Sequence, residues 1–151
     1  MALKPDRNEL AYDISRYMNE NATRGGIAVI LQQGSGVAMD GSGNIVTYAA
    51  NPSGKIVAGL VLQDVVTLGT YERKNPYKDE TLKNGKVALL TKGWVVTDMV
   101  YPSTTPTAGA VAYVGQSGLL TPTSYAGAVV AGRFETSLNE EGFLKFSIDI
   151  P

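Results

Sequence analysis

Apolar positions in this chain gather in short runs that are separated by glycine, proline and small polar residues. Gly26-Ile27-Ala28-Val29-Ile30-Leu31 and Ile45-Val46-Thr47-Tyr48 are too short for ordinary helices and rich in β-branched side chains, so both predict strands. Asn51-Pro52-Ser53-Gly54 predicts a turn after the second. The most apolar run, Ile56-Val57-Ala58-Gly59-Leu60-Val61-Leu62, continues through Val65-Val66-Thr67-Leu68. Its continuous apolarity predicts a strand buried on both faces, with a bulge or close backbone approach at Gly59.

Further strands are expected at Lys86-Val87-Ala88-Leu89-Leu90 and Trp94-Val95-Val96-Thr97, with turn-like Thr91-Lys92-Gly93 between them. Trp94 reads as a core anchor with its indole N–H bonded at the edge. A stiff Pro/Thr loop over 101–107 leads to Ala110-Val111-Ala112-Tyr113-Val114 and Gly118-Leu119-Leu120-Thr121. Val130-Ala131-Gly132 echoes Val57-Ala58-Gly59, which suggests two strands in equivalent positions. The last run, Leu144-Lys145-Phe146-Ser147-Ile148-Asp149-Ile150, alternates cleanly and predicts a half-buried closing strand. The sum is an all-β fold, a small β-barrel or β-sandwich of about eight short strands.

Residues 1–25 differ from the rest and are expected to form an N-terminal arm or short helix beside a β-domain at 26–151. Asp6 can cap a helix whose apolar positions are Leu10, Ile14, Tyr17 and Met18. So few apolar residues do not stabilise a helix in isolation; the segment needs a surface, either on its own domain or on a neighbouring subunit. No apolar stretch marks a secretory signal there.

Composition removes most chemistry. The chain has 151 residues, a net charge of -1 and no cysteine or histidine. Thiol chemistry, disulfides and His-dependent triads are excluded, and no strong field draws nucleic acid or an anionic membrane. Asp40-x-Ser42-x-Asn44 begins like a calcium loop, but Ile45 stands at the glycine position and Asn51 at the final carboxylate position. The adjacent pairs Asp79-Glu80 and Glu140-Glu141 read as solvated turns rather than paired catalytic acids. No enzyme activity, metal or cofactor is expected. The dense mixed-charge loop at 71–80, with Tyr71, Arg73 and Tyr77, suits either solvent or an interface.

The succession Gly85-Lys86-Val87-Ala88-Leu89-Leu90, Lys92-Gly93-Trp94-Val95-Val96-Thr97, the run over 107–115, Ser117-Gly118-Leu119-Leu120-Thr121 and Val130-Ala131-Gly132-Arg133-Phe134 resembles tailed-bacteriophage head decoration, or cement, proteins. The resemblance implies a non-enzymatic virion protein on the outer capsid surface, made in the host cytoplasm, that binds the major capsid protein and cements neighbouring subunits. It also implies a homo-oligomer, trimer or dimer, without direct nucleic-acid or membrane contact. Contacts to capsid or neighbouring subunits are then expected at Leu10, Ile14, Tyr17 and Met18 in the arm and at Tyr71, Arg73 and Tyr77 in the loop. A neck, tail or baseplate protein, or a carbohydrate-binding module using Tyr71, Tyr77 and Tyr101, is the alternative reading.

Overall fold

The computed structural model describes residues 3–31, 44–64, 80–81 and 85–150. Eleven strands occur among them: β1 (Leu3–Met18), β2 (Ala22–Thr23), β3 (Ile27–Ile30), β4 (Ile45–Thr47), β5 (Val57–Asp64), β6 (Glu80–Thr81), β7 (Lys86–Thr97), β8 (Val111–Val114), β9 (Leu120–Thr121), β10 (Val130–Phe134) and β11 (Leu144–Asp149). The all-β expectation holds. Nine strands form one sheet in the order β1-β4-β3-β5-β7-β11-β10-β8-β9, and β2 pairs with β6 apart from it. Because β1 also pairs with β7, the ladders β1–β4–β3–β5–β7–β1 form a closed ring.

The organising element is β7. One of its edges carries β1 along almost its whole length, from Tyr17 opposite Lys86 to Leu3 opposite Thr97. The other edge is shared: β5 pairs with residues 87–90 and β11 with residues 92–97. Apolar residues on both faces follow from this position. Ala88 and Leu90 join a large core with Ile27, Leu60, Leu62, Val95, Phe134, Phe146 and Ile148. Val87 and Leu89 face a second core with Met18, Ala28, Val46, Ala58 and Val61.

Three expectations are corrected. Of the arm or short helix anticipated within residues 1–25, the helix is the alternative that fails: residues 3–18 are the strand β1. The helical spacing of its four apolar residues is real, but a 12-residue partner strand supplies the backbone hydrogen bonds that a short, weakly apolar helix would have to make alone. The turn between the two strands of 86–97 is also absent; β7 runs through Thr91-Lys92-Gly93 without a break. Trp94 belongs to neither core. It is half-buried, with the Lys145 ammonium 3.9 Å from its ring centroid, so its aromatic face holds a cation rather than anchoring the interior.

Local readings fare better. Gly54 has φ +69 within the turn at 51–54, where Lys55 N–H donates to the Pro52 carbonyl at 3.1 Å. The two Val-Ala-Gly triplets each carry a one-residue register shift. Ala58 is the extra residue between the pairs Ala28–Gly59 and Val29–Val57, and Ala131 is the extra residue between Val130–Tyr113 and Gly132–Ala112. Each triplet is a β-bulge whose glycine lets a neighbouring backbone come close: a Cβ on Gly59 would lie 2.9 Å from the Leu90 carbonyl oxygen, and one on Gly132 2.1 Å from that of Ser147.

Candidate interaction surface

The strand β1 is bound along one side and, among the described residues, largely unpaired on the other. Among the described residues its other edge is paired only at Tyr17 and Met18, which lie parallel to Ile45 and Val46 of β4. Two backbone bonds fasten that end, Tyr17 N–H to the Asn44 carbonyl at 2.8 Å and Met18 N–H to the Gly85 carbonyl at 3.0 Å. Met18 is buried in the second core. Leu3, at the opposite end, is buried in the first. Between these two anchors β1 crosses the surface.

Here the side chains reverse the usual polarity of a surface strand. Leu10 is 63% exposed, Tyr12 60%, Ile14 46% and Tyr17 41%. An edge strand carrying large apolar groups is a place where another chain can attach. Four register shifts against β7 break β1 into short straight pieces. Such bulges discourage continuous strand addition, so the surface favours side-chain docking over an extended shared ladder.

Polar groups on β1 hold its shape. Ser15 N–H and hydroxyl donate to Asp13 Oδ1 at 2.8 and 2.6 Å, and Arg16 Nε donates to Asp13 Oδ2 at 3.2 Å. Partial burial pushes the Asp13 carboxyl pKa up, but the two Ser15 bonds and the Arg16 guanidinium outweigh it, and the net shift is downward. Lys86 lies 5.7 Å from the Tyr17 ring centroid and Lys4 lies 4.4 Å from that of Phe143. The first sets a cation against the Tyr17 ring, and the second ties Lys4 of β1 to Phe143 beside β11.

Of the arm residues expected from sequence, Leu10, Ile14 and Tyr17 stand together on this exposed strand and Met18 points into the core. Tyr71, Arg73 and Tyr77 lie outside the described residues. Tyr12 was missed, because a helical period leaves it off the stripe; the alternation Leu10-x-Tyr12-x-Ile14 was the signal for it. Among the described residues no group of His, Cys, Asp or Glu could hold a metal ion. No described helix is long and apolar enough to cross a membrane.

No curated protein matches the chain. Residues 6–148 match the phage family described as structural cement protein (E217 gp24/Pam3 gp6), a span that includes most of β1 and every other strand except the last residue of β11. The chain belongs to this family of bacteriophage structural cement proteins.

Proposed function

We propose that this protein binds the outer surface of a phage capsid and cements neighbouring major capsid subunits, without enzymatic activity. In this reading residues 1–25 are the attachment arm and residues 26–151 are the body that presents it. Copies associate with one another as a trimer or dimer on the shell. The protein is made in the host cytoplasm and ends in the virion.

The observation that carries the reading is the exposed row Leu10, Tyr12, Ile14 and Tyr17 on a strand anchored at both ends. Covering one large apolar side chain contributes about 1.5–3 kcal/mol. A few such groups per copy give modest affinity, and repetition over a shell turns it into lasting attachment. Rigid support matters equally, since an arm already ordered on β7 loses little entropy on docking.

The test uses phage shells lacking this protein. Wild-type protein added back should sediment with the shells, raise their resistance to heat, and give density over the outer surface in electron micrographs. Leu10→Glu combined with Ile14→Glu should abolish all three while the protein stays folded. Undiminished attachment of the double variant would overturn the role of β1. Density confined to the neck or tail would overturn the capsid reading itself.

A further inference from the structure

Away from β1, the turn at 51–54 faces the loops around β8 and β9 across a cleft of about 500 Å³. Its walls include Asn51, Tyr101, Gln116, Thr121, Thr123 and Tyr125, and no charged residue lines it among the described residues. The volume lies within the roughly 300–1,000 Å³ common to small-molecule sites.

The cleft is built rather than incidental. Ser117 N–H donates to the Ala49 carbonyl at 2.9 Å at one end. Ser53 Oγ donates to the Ala126 carbonyl at 3.0 Å, and Gly54 N–H to the Gly127 carbonyl at 3.1 Å, at the other. Tyr125 is locked as a wall because its hydroxyl donates to the Val114 carbonyl at 2.6 Å. Only two non-glycine residues among those described have positive φ, Ser103 at 63° and Ser117 at 55°. They lie two residues from Tyr101 and next to Gln116, so each flanks in sequence a residue of the cleft wall. Strain of this kind persists where the surrounding structure enforces it, often at ligand sites.

Polar capacity is left over inside. Thr121 Oγ1 is occupied by Thr123 N–H at 3.2 Å, and Asn51 Oδ1 by Ser53 N–H at 3.3 Å. The hydroxyls of Tyr101 and Thr123 and the amide of Gln116 take no protein partner among the described residues. Two phenol rings, free hydroxyls and an amide in an uncharged setting define the complement of the ligand. An anion or a nucleic acid would find no cation to meet it. A peptide would offer backbone groups in a regular row, whereas these partners are scattered side chains at different depths. A sugar presents aliphatic C–H faces that rest on the electron-rich face of an aromatic ring, with hydroxyls around its rim.

We propose that this cleft binds a short neutral saccharide, with one ring stacked on Tyr101 against the fixed wall of Tyr125 and hydrogen bonds to Gln116, Asn51 and Thr123. The site is separate from β1 and adds adhesion to a carbohydrate surface to the cementing role. Weak single-site binding suffices there, because a particle bearing many copies binds by avidity.

The experiment titrates the full-length protein with maltotriose, cellotriose, chitotriose and lactose, and in parallel with sialyllactose, following ligand-observed NMR and calorimetry. At least one neutral saccharide should bind. Tyr101→Ala and Gln116→Ala, both at exposed positions, should each weaken it by about 3- to 10-fold with an unchanged circular dichroism spectrum. Leu10→Glu should leave saccharide binding unchanged. Absence of binding to all four neutral probes overturns the proposal. So does binding that both cleft variants leave intact, or binding of sialyllactose alone.

Discussion

A Cβ built on Gly93 would lie 2.0 Å from the carbonyl oxygen of Asn8. Gly93 also has φ +140, a backbone conformation that residues with side chains rarely adopt. Glycine at this point lets β1 approach the middle of β7, directly beside the pair Glu9–Gly93. Gly93→Ala should therefore combine backbone strain with a clash against a rigid strand. A loss of at least about 2 kcal/mol is expected, read as a lower urea midpoint at unchanged slope. Amide exchange should accelerate first in residues 7–12, since their partners are those displaced.

Leu10 and Met18 are both apolar residues of β1 with opposite fates. Met18→Ala leaves a cavity among Val46, Val61 and Leu89 and should cost about 2–5 kcal/mol. Leu10→Ala should change stability by no more than about 0.5 kcal/mol, because the side chain is already in water. Thermal denaturation of the two variants checks the contrast. A reversed order would mean that β1 sits differently on the body.

Acid should loosen the middle of β1. The Asp13 carboxyl is held below its ordinary value, about 3.9, by Ser15 and Arg16 against the opposing effect of partial burial. A depressed folded pKa means that its stabilisation is complete above the unfolded value. It is lost as pH falls from about 4 through the lower folded pKa. The Asp13 carboxyl signal in NMR should titrate below that of an unfolded reference peptide, and Asp13→Asn should remove this share of the acid dependence.

How much of this was readable from sequence depends on how local the cause is. The turn at 51–54 is set by its own Asn, Pro and Gly, and the alternation of β11 by its own burial pattern, Leu144, Phe146 and Ile148 inward. The echo of Val57-Ala58-Gly59 in Val130-Ala131-Gly132 was visible, and each triplet carries a bulge. By contrast, β1 is a strand because of β7, some eighty positions away along the chain, and no local pattern announces that partner. For the same reason Thr91-Lys92-Gly93 reads as a turn until Asn8 is placed beside Gly93. Trp94 owes its position to Ser147 across the ladder, which brings Lys145 over the indole. The exposed row on β1 was therefore half legible: its residues were apparent, but the period that unites Leu10, Tyr12 and Ile14 required the sheet.

Tyr48 links the segment at Thr23 and Gly26 to the loop at Gly118, and its removal gives a test at alkaline pH. Its hydroxyl donates to the Thr23 carbonyl and accepts from Gly26 N–H at 3.2 Å. Its ring lies where a Cβ on Gly118 would come within 2.6 Å of Cδ1. The Glu20 carboxylate accepts from Tyr48 N–H at 2.8 Å and from Thr47 Oγ1 at 3.0 Å, which fixes the same segment. Burial raises the phenol pKa well above its ordinary value, the bond from Gly26 opposes this, and the Glu20 charge adds to the rise. A raised folded pKa keeps the hydroxyl neutral while the unfolded chain ionises. The corresponding stability is complete below about pH 10 and is lost as pH climbs towards the folded pKa. Tyr48→Phe strips two backbone groups of their partner and should cost about 1–3 kcal/mol at neutral pH. It should also flatten the stability decline above pH 10. Urea titrations at pH 7 and pH 10.5 measure both effects, and an unaltered alkaline slope in the variant would show that another group carries the titration.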